Sequence, residues 1–468
     1  MKKLDLLLIN SNLNYEIAKK QRITMRLEKN IPNQESPYLN IAYLIASVKK
    51  AGYSSQFIDM VVDEYSVDDI VEFCVKNKPA LIGFSAFTVQ MNDVGIIAKA
   101  IKAKYSEAII CVGGCHVYAL PLETLENIPE VDFVVRGEAE NILPKILKSS
   151  FDLKEIEKIQ GVITRSKKDI SPAYVQDLDS LPYPAWEDFD LKKYPGCNPH
   201  QTKLELPMMT GRGCPYRCTF CCRANGGKIR RRNIQSIISE IEYLIDKFEC
   251  EAIYFTDENF ILDNKSSVEL LDMIISKGIN KKIKWGCSMR VSQAKPDIMK
   301  KMAEAGCYYV FFGFESANSE TLKRVNKAIV IKDMYNAVLA TKQAGIVPTG
   351  AFIIGLPGDT KDDVYKAIEL GKELYLYSIT FPIAVPYPGT VLRQQAQDNM
   401  WGMKILSDDW GLYGKKQNAN EIFKVMESDK FSAEERLKMQ RIAYQVHPKK
   451  RIKDYVDKHL KQYKEVKK

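Results

Sequence analysis

The sequence predicts an α/β protein with two sheet domains in succession and a helical C-terminal segment. Two long stretches of the chain alternate short apolar runs with helical patterns, and this alternation is typical of parallel sheets covered by helices. At 468 residues the chain is also too long for one ordinary hydrophobic core. The boundaries that we expect are residues 1–150 for the first sheet domain, 151–204 for a linker, 205–397 for the second sheet domain and 398–468 for the helical segment.

The composition is that of a globular protein, with 46% hydrophobic and 27% charged residues. No apolar run reaches the roughly 18 residues that a membrane helix requires, so we predict no transmembrane segment. Eleven cysteines without a secretory signal favour a cytoplasmic location. Much of the net charge of +9 lies in residues 228–232 and 447–468, which we interpret as solvated basic surface rather than a nucleic-acid site.

The first domain is predicted to be a doubly wound, Rossmann-like parallel sheet. Its expected strands are residues 4–9, 56–58, 81–85, 108–112 and 132–135. The expected helices include residues 39–51, 67–77 and 91–105. In such sheets ligands bind beyond the carboxyl ends of the strands, so the loops that follow the strands are the candidate binding positions.

The second domain begins after a proline-rich passage at residues 177–186, where prolines disfavour regular structure. Its expected strands are residues 206–210, 252–255, 283–287, 308–313, 349–354 and 379–385. The expected helices include residues 235–248, 296–305 and 331–344. Six βα units predict a partial (βα)6 barrel, and barrel chemistry takes place at the carboxyl ends of the strands.

Three cysteines, Cys214, Cys218 and Cys221, follow the first barrel strand with the spacing C-x3-C-x2-C. Three thiolates can bind three irons of a [4Fe–4S] cluster and leave the fourth iron open, whereas an electron-transfer cluster normally uses four cysteines. A zinc site and unrelated core thiols are the alternative interpretations. The spacing, with Phe220 before the last cysteine, resembles the signature of the radical S-adenosylmethionine (radical SAM) enzymes.

The other barrel strands end in loops that suit S-adenosylmethionine, at residues 256–260, 288–290, 313–316, 350–360 and 386–390. A carboxylate suits its ammonium group and its ribose, an arginine suits its carboxylate, and glycines allow close backbone approach. Each loop alone could equally be a surface turn. Together they resemble the barrel of the cobalamin-dependent, class B branch of the radical SAM enzymes, and the resemblance covers residues 1–395.

That resemblance implies roles for individual barrel residues. The amine of S-adenosylmethionine would meet the segment Asp257, Glu258 and Asn259, and its carboxylate would meet Arg290. Glu315 and Ser316 would lie near the amine or the ribose, and the strand that ends at Gly355 would support the adenine. Cys222 would pack beside the cluster without binding iron, and Cys287 and Cys307 are expected to be core thiols.

The first domain resembles the cobalamin-binding domain of the same branch in segments 36–43, 83–88, 112–116 and 137–140. The residues that the resemblance assigns to cobalamin are Ser85, Thr88, Gln90, Gly113, Gly114, His116 and Gly137. The Asp-x-His-x-x-Gly loop that supplies histidine to cobalt in other cobalamin proteins is absent from residues 10–14. We therefore expect His116 to line the pocket rather than bind cobalt, and the loop 87–90 to face the metal.

The resemblance implies a methyltransferase that acts on an unactivated carbon of a small-molecule or peptide substrate. A 5′-deoxyadenosyl radical would activate the carbon, methylcobalamin would donate the methyl group, and a flavodoxin or ferredoxin would supply electrons. One alternative is a ring-forming or rearrangement reaction on the same scaffold, and another is an iron–sulfur or corrinoid carrier. A methylthiotransferase is a third, although Cys74, Cys111 and Cys115 do not match the additional cluster cysteines of that family.

The helical C-terminal segment is expected to close the substrate pocket or to form a small core of its own. Its aromatic residues are Trp401, Trp410, Tyr413 and Tyr444. The basic stretch 451–468 could contact a membrane or an acidic substrate, but a solvated helix face is the interpretation that we favour. The substrate itself cannot be deduced from the sequence.

Overall fold

A computed structural model describes residues 4–11, 36–60, 62–167, 169–194, 204–260, 264–414 and 424–447. Most of the predicted loop 10–14 and all of the basic stretch 451–468 lie outside the described residues.

The first sheet has six strands in the order β2-β1-β3-β4-β5-β6. They are β1 (Leu6–Asn10), β2 (Ser55–Asp59), β3 (Leu81–Ser85), β4 (Ile110–Gly113), β5 (Phe133–Val135) and β6 (Val162–Ile163). Strands β1 to β5 run parallel and β6 is antiparallel to β5. The order reverses at β1, as in doubly wound sheets, and this places a binding crevice at the carboxyl ends of β1 and β3.

Helices cover both faces of this sheet, which explains why its strands are continuous apolar runs. They are α1 (Leu39–Lys50), α2 (Val67–Asn77), α3 (Met91–Lys104), α4 (Cys115–Ala119), α5 (Pro121–Asn127), α6 (Leu143–Lys148) and α7 (Leu153–Lys158). In β1 the side chains of Leu6 and Leu8 pack on one face, toward α1 and the barrel core. Those of Leu7 and Ile9 pack on the other face, toward α2 and α3.

The second sheet contains six parallel strands in chain order. They are β7 (Glu205–Met208), β10 (Ala252–Phe255), β11 (Lys284–Met289), β12 (Cys307–Glu315), β13 (Val347–Phe352) and β14 (Ser378–Thr380). Strands β7 and β14 form the two edges and do not pair with each other, so the barrel is partial. A small hairpin of β8 (Gly211–Arg212) and β9 (Arg230–Arg231) brackets the cysteine loop.

The barrel helices are α8 (Ile234–Phe248), α9 (Asn264–Ser276), α10 (Pro296–Glu304), α11 (Ser319–Arg324), α12 (Ile331–Gln343), α13 (Lys361–Glu373) and α14 (Val391–Gln397). The C-terminal segment adds a hairpin of β15 (Met403–Ile405) and β16 (Met426–Ser428), followed by α15 (Ala433–Val446). The predicted fold class is therefore confirmed: a doubly wound sheet domain, a partial barrel and a largely helical C-terminal segment.

The described part of the segment that we predicted as a linker includes elements that pack within the first domain. It contains α7 and the edge strand β6, and the side chain of Trp186 is completely buried. The backbone of Ala185 also donates a hydrogen bond to the carbonyl of Ala42 at 3.1 Å. A strand of two residues carries no periodic signal, which is why the sequence pattern did not indicate it.

Within the described part of the chain, no helix is both long and apolar enough to cross a membrane.

Candidate functional site

The cysteine loop is held at its base by the hairpin β8–β9. Gly213 has a φ of +92°, and a Cβ there would lie 2.3 Å from the carbonyl oxygen of Lys228, so the turn requires glycine. The backbone N–H of Cys214 then donates to the carbonyl of Gly226 at 3.2 Å. Both ends of the loop are thus fixed where the cluster cysteines begin.

The three predicted cluster cysteines lie near one another. Burial raises the pKa of the Cys221 thiol to about 11, and the charges of Cys218 and Cys214 raise it further. Among the described residues, no three His, Cys, Asp or Glu side chains converge as ligands around a single metal ion would.

Arg290 is the cation beside this thiol set. Its Nη1 lies 3.8 Å from Cys218 Sγ, and its guanidinium stacks on the Tyr216 ring at 3.7 Å. Its Nη2 donates to the carbonyl of Lys327. Its Nε is buried and has no hydrogen-bond partner among the described residues, which leaves a donor for a ligand.

A buried ion pair lies next to Arg290. Lys327 Nζ donates to Glu315 Oε1 at 2.6 Å, and both side chains are buried. A Cβ on Gly313 would lie 2.3 Å from the same carboxylate oxygen, so the glycine makes room for it. Burial raises the pKa of Cys221 and the charge of Lys327 opposes that rise, so Lys327 lies within electrostatic range of this thiol.

The three residues after β10 have different surroundings. Asp257 accepts hydrogen bonds from the backbone and hydroxyl of Thr210, and burial raises its pKa to about 6. Glu258 accepts from the N–H of Gly213 at 3.2 Å and from Asn225 Nδ2 at 2.5 Å. Asn259 Oδ1 accepts from the Arg290 backbone, while its Nδ2 is buried with no partner in the described chain. The two carboxylates therefore hold the cysteine loop, and Asn259 keeps a donor for a ligand.

Three further predicted residues make contacts with the protein itself. Ser316 Oγ accepts from the N–H of Asn318 at 3.0 Å, just before α11. Phe220 packs against a small apolar cluster that includes Leu356. Gly355 has a φ of +83°, and a Cβ there would lie 2.6 Å from Nε of Arg436, so this glycine gives room to an arginine of α15.

A cavity of about 760 Å³ lies between the first domain and the barrel. The first domain lines it with the strand-end residues Ser85, Gly113, Gly114 and Gly137, together with Phe87, Cys115 and segment 36–40. The barrel lines it with residues that include Met209, Arg212, Asn225, Tyr254, Thr256, Glu258 and Tyr309. The carboxyl ends of both sheets therefore open into one space.

Three residues that we predicted to contact cobalamin lie behind the cavity wall. His116 is buried, its Nδ1 lies 3.3 Å from Thr88 Oγ1, and its ring meets Trp410 edge-on at 5.3 Å. Burial lowers the pKa of His116 to about 4, with the Arg393 charge adding to the shift, so the ring is neutral at pH 7. Gln90 donates to Asn10 Oδ1 at 2.8 Å and so fastens the loop after β3 to the end of β1. Phe87, which is 60% exposed, is the member of that loop that lines the cavity.

Comparisons with known proteins agree with this arrangement. The B12 binding domain model matches residues 32–147, and the radical SAM superfamily model matches residues 208–371. An uncharacterized methyltransferase of Pyrococcus horikoshii is 30% identical over 443 residues, which cover 92% of each chain. The chain belongs to the cobalamin-dependent radical SAM enzymes.

The chain is also similar to a more distant relative and to a solved structure. The anaerobic magnesium-protoporphyrin IX monomethyl ester cyclase of Cereibacter sphaeroides is 26% identical over 371 residues, and the match covers 77% of this chain but 60% of the cyclase. The radical SAM methyltransferase TsrM of Kitasatospora setae, solved with cobalamin and a [4Fe–4S] cluster, has the same fold, with a TM-score of 0.69 and 15% identity. That match covers 95% of this chain and 88% of TsrM.

As a cobalamin-dependent radical SAM enzyme, the protein uses a [4Fe–4S] cluster, S-adenosylmethionine and cobalamin. Its residues fit these groups. Two donors, Asn259 Nδ2 and Arg290 Nε, are buried beside the cysteines without partners among the described residues. On the cavity wall, Glu140 Oε2 is likewise a buried acceptor without a partner there, and cobalamin carries amide side chains that can donate to it.

Several residues of the enzyme's site were missed by sequence reasoning. Lys327 stands in an ordinary helix-to-loop stretch with no motif, and nothing local marks it as a partner of Glu315. The Cys115 thiol of the first domain interacts with the Cys222 thiol of the cysteine loop, and this interaction lowers the pKa of Cys115. Tyr254 and Tyr309 stack inside the barrel at 5.8 Å, and the missing side chain of Gly286 between them was the available signal.

Proposed function

We propose that this enzyme transfers a methyl group to an unactivated carbon of a small-molecule or peptide substrate. The cofactors would supply a carbon-centred radical from S-adenosylmethionine and a transferable methyl group on cobalt. The observation that carries the proposal is the cavity, because one substrate carbon must be reached from both cofactors. Strand ends of the first domain line it on one side, and on the other it reaches Asn225 and Glu258, the pair that holds the base of the cysteine loop. The relative from Pyrococcus horikoshii, whose name states methyltransferase activity, supports the same reaction class.

The barrel end of the cavity would hold the substrate. Tyr254, Gly286 and Tyr309 occupy one register row across β10, β11 and β12. A Cβ on Gly286 would lie 2.2 Å from the Tyr309 ring, so glycine allows that ring to cross the sheet and stack on Tyr254. These rings offer an apolar wall that excludes water from a reactive carbon.

Glu205 lies at the bottom of the same space. It is buried, lines the cavity and accepts a hydrogen bond from Tyr308 at 3.1 Å. Burial raises its pKa to about 7, with the Tyr308 hydrogen bond opposing the shift. Near neutral pH this carboxyl can hold or accept a proton, and it would orient a polar group of the substrate.

Ring formation without methyl transfer is the second candidate function. The observation that favours it is the likeness to the protoporphyrin ester cyclase. The two reactions differ in one product, because methyl transfer from S-adenosylmethionine releases S-adenosylhomocysteine.

The proposal is tested with anaerobically reconstituted enzyme, methylcobalamin, a chemical reductant and S-adenosylmethionine deuterated on its methyl group, incubated with small-molecule extract of the source cells. We expect 5′-deoxyadenosine and S-adenosylhomocysteine, and a compound three deuteriums heavier than its unlabelled form. A flavodoxin or ferredoxin is expected to replace the chemical reductant. Formation of 5′-deoxyadenosine alone, together with an unlabelled cyclised product, would favour the cyclase. The variant Cys218→Ala is the control and should form neither nucleoside product.

A further inference from the structure

Two glutamates of the first domain meet two arginines of the hairpin β8–β9 in a buried cluster. We call this set the interdomain joint, and its members are Glu138, Glu140, Arg212 and Arg230. We propose that the interdomain joint is a set of positioning residues that fixes the cobalamin-facing side of the first domain against the cysteine loop. This inference rests on the family's cofactors and is independent of whether the reaction is methyl transfer.

Arg230 and Glu138 form the centre of the joint. Arg230 Nη2 lies 2.6 Å from Glu138 Oε1 and Nη1 lies 2.7 Å from Oε2, so the pair is bidentate. Arg230 also donates to the carbonyl of Val175 at 2.6 Å, and its guanidinium lies 5.2 Å from the ring centre of Tyr174. Such a planar, two-point contact fixes direction as well as distance.

Arg212 completes the joint from the neighbouring strand. Its Nη2 lies 2.6 Å from Glu140 Oε1, and its Nη1 lies 3.2 Å from Glu138 Oε2. The first domain adds the ring of Tyr43, whose centre lies 5.5 Å from the guanidinium. All four charged side chains are buried, and the two positive charges match the two negative ones. The charges are therefore paired away from water, where a relative displacement of the domains would leave one of them uncompensated.

Each side of the joint continues directly into cofactor-facing backbone. On the first domain, Glu138 follows Gly137, which lines the cavity and has a φ of +105°. A Cβ on Gly137 would lie 2.1 Å from the carbonyl oxygen of Ala173, and the N–H of Glu138 donates to that carbonyl at 2.9 Å, so the backbone of this turn is held against residue 173. The interdomain joint thus connects this part of the cavity wall to the hairpin β8–β9 directly.

On the barrel, Arg212 is two residues before Cys214, the first cluster cysteine. Arg230 donates to the carbonyl of Asn225 at 2.9 Å, and Asn225 in turn donates to Glu258 at 2.5 Å. The hydrogen bonds therefore run from the cavity wall of the first domain to the loop after β10. An apolar contact of equal area would hold the domains together without fixing this register.

The test measures the geometry between the two cofactors directly. The enzyme is reconstituted with iron, sulfide and cobalamin, and is then reduced so that the cluster and cob(II)alamin are both paramagnetic. The readout is the magnetic dipolar coupling between the two centres by pulsed electron paramagnetic resonance, which depends on their separation and orientation. The variants are Glu138→Gln, Arg230→Gln and the double variant that combines them, which removes both opposite charges and keeps hydrogen-bonding groups.

We expect the single variants to bind both cofactors and to lose the sharp wild-type coupling, because one buried charge loses its partner. The double variant should recover it in part. The matched control Arg165→Met removes an arginine that donates to the carbonyls of Leu125 and Pro129 inside the first domain, and should keep the wild-type coupling. Single variants with both cofactors and an unchanged coupling would overturn the proposal. A double variant whose dipolar coupling is no closer to the wild-type value than that of the single variants would also overturn it. If the single variants do not fold, a double variant that also fails to fold would overturn it.

Discussion

Arg290 places its guanidinium 3.8 Å from the sulfur of Cys218, so the loop after the third barrel strand touches the cluster loop. A cation at this distance stabilises thiolate ligands and leaves the remaining guanidinium donors for an anionic ligand. We propose that the carboxylate of S-adenosylmethionine is the anion that binds there. This contact is the point at which the cysteine motif and the barrel loops become one site.

Replacing Arg290 with Ala should weaken S-adenosylmethionine binding while the cluster still forms. A hydrogen bond to a charged group contributes about 1.5–3 kcal/mol, so we expect the KM for S-adenosylmethionine in 5′-deoxyadenosine formation to rise roughly tenfold to a hundredfold. Arg290→Lys keeps the positive charge but loses the paired N–H donors of the guanidinium, so its KM for S-adenosylmethionine should lie between those of the wild type and Arg290→Ala. An unchanged KM in Arg290→Ala would place the carboxylate elsewhere.

The two adjacent cysteines, Cys221 and Cys222, should differ sharply in iron binding. The Cys222 thiol interacts with Cys115 of the first domain, whereas Cys221 lies with Cys214 and Cys218. We expect Cys221→Ser to lose most of the cluster and Cys222→Ser to keep it, as measured by iron content and by the spectrum of the reduced cluster. Equal loss in the two variants would contradict the assignment of ligands.

Gly113 and Gly114 provide a matched pair at the cavity wall. Gly114 has a φ of +107°, and a Cβ there would lie 2.5 Å from the carbonyl oxygen of Ala86. Gly114→Ala should therefore lower the free energy of unfolding by about 1–3 kcal/mol. A Cβ on Gly113 would meet its nearest atom, the carbonyl oxygen of Val135, at an ordinary 3.5 Å. Gly113→Ala should thus fold normally.

The same pair separates folding from cofactor binding. Gly113 lines the cavity, so its alanine variant should retain less cobalamin after gel filtration even though its urea unfolding midpoint is that of the wild type. Wild-type cobalamin content in Gly113→Ala would show that the corrin does not approach β4.

Glu205 should make stability depend on pH. Its pKa is raised to about 7 in the folded protein, mainly by burial, from an ordinary value near 4.5. Between these values the folded state binds more protons than the unfolded state, so its contribution is fully present below about pH 4.5 and is lost as the pH rises to 7. Glu205→Gln removes this pH-dependent contribution. The free energy of unfolding of the variant, relative to that of the wild type, should therefore be higher at pH 8 than at pH 4.5 by about 2–3 kcal/mol. Urea unfolding at the two pH values measures this difference, and equal pH dependence in both proteins would show that Glu205 is not a buried titrating group.

Much of the fold could be predicted because hydrophobic periodicity survives in the sequence. Strands β3 and β10 have the predicted bounds, since each is a compact apolar run between polar loops. The last barrel strand was predicted over residues 379–385 but ends at Thr380, because Pro382 has no N–H to donate, and beyond it only an isolated bridge joins Ile383 to Ile354. The two-residue strand β6 was missed because it is too short for a periodic pattern.

The site was predictable where a motif sits directly on a strand end, and less so where a loop folds back. The cysteines, Arg290 and Glu315 follow strands and meet as expected from barrel topology. His116 and Thr88 also follow strands, but both side chains are buried and contact each other, and neither residue is among those that line the cavity. Lys327 and the interdomain joint depend on contacts between residues distant in sequence, which no local pattern encodes.

The central claim is that one cavity brings both cofactors of this enzyme to one substrate. A crystal structure of the protein reconstituted anaerobically with iron, sulfide, cobalamin and S-adenosylmethionine tests it most directly. We predict a cluster on Cys214, Cys218 and Cys221, S-adenosylmethionine beside Arg290, and the corrin against Gly113 and Gly114 with its reactive face toward the barrel. A corrin bound outside this cavity, or turned away from the barrel, would contradict the account.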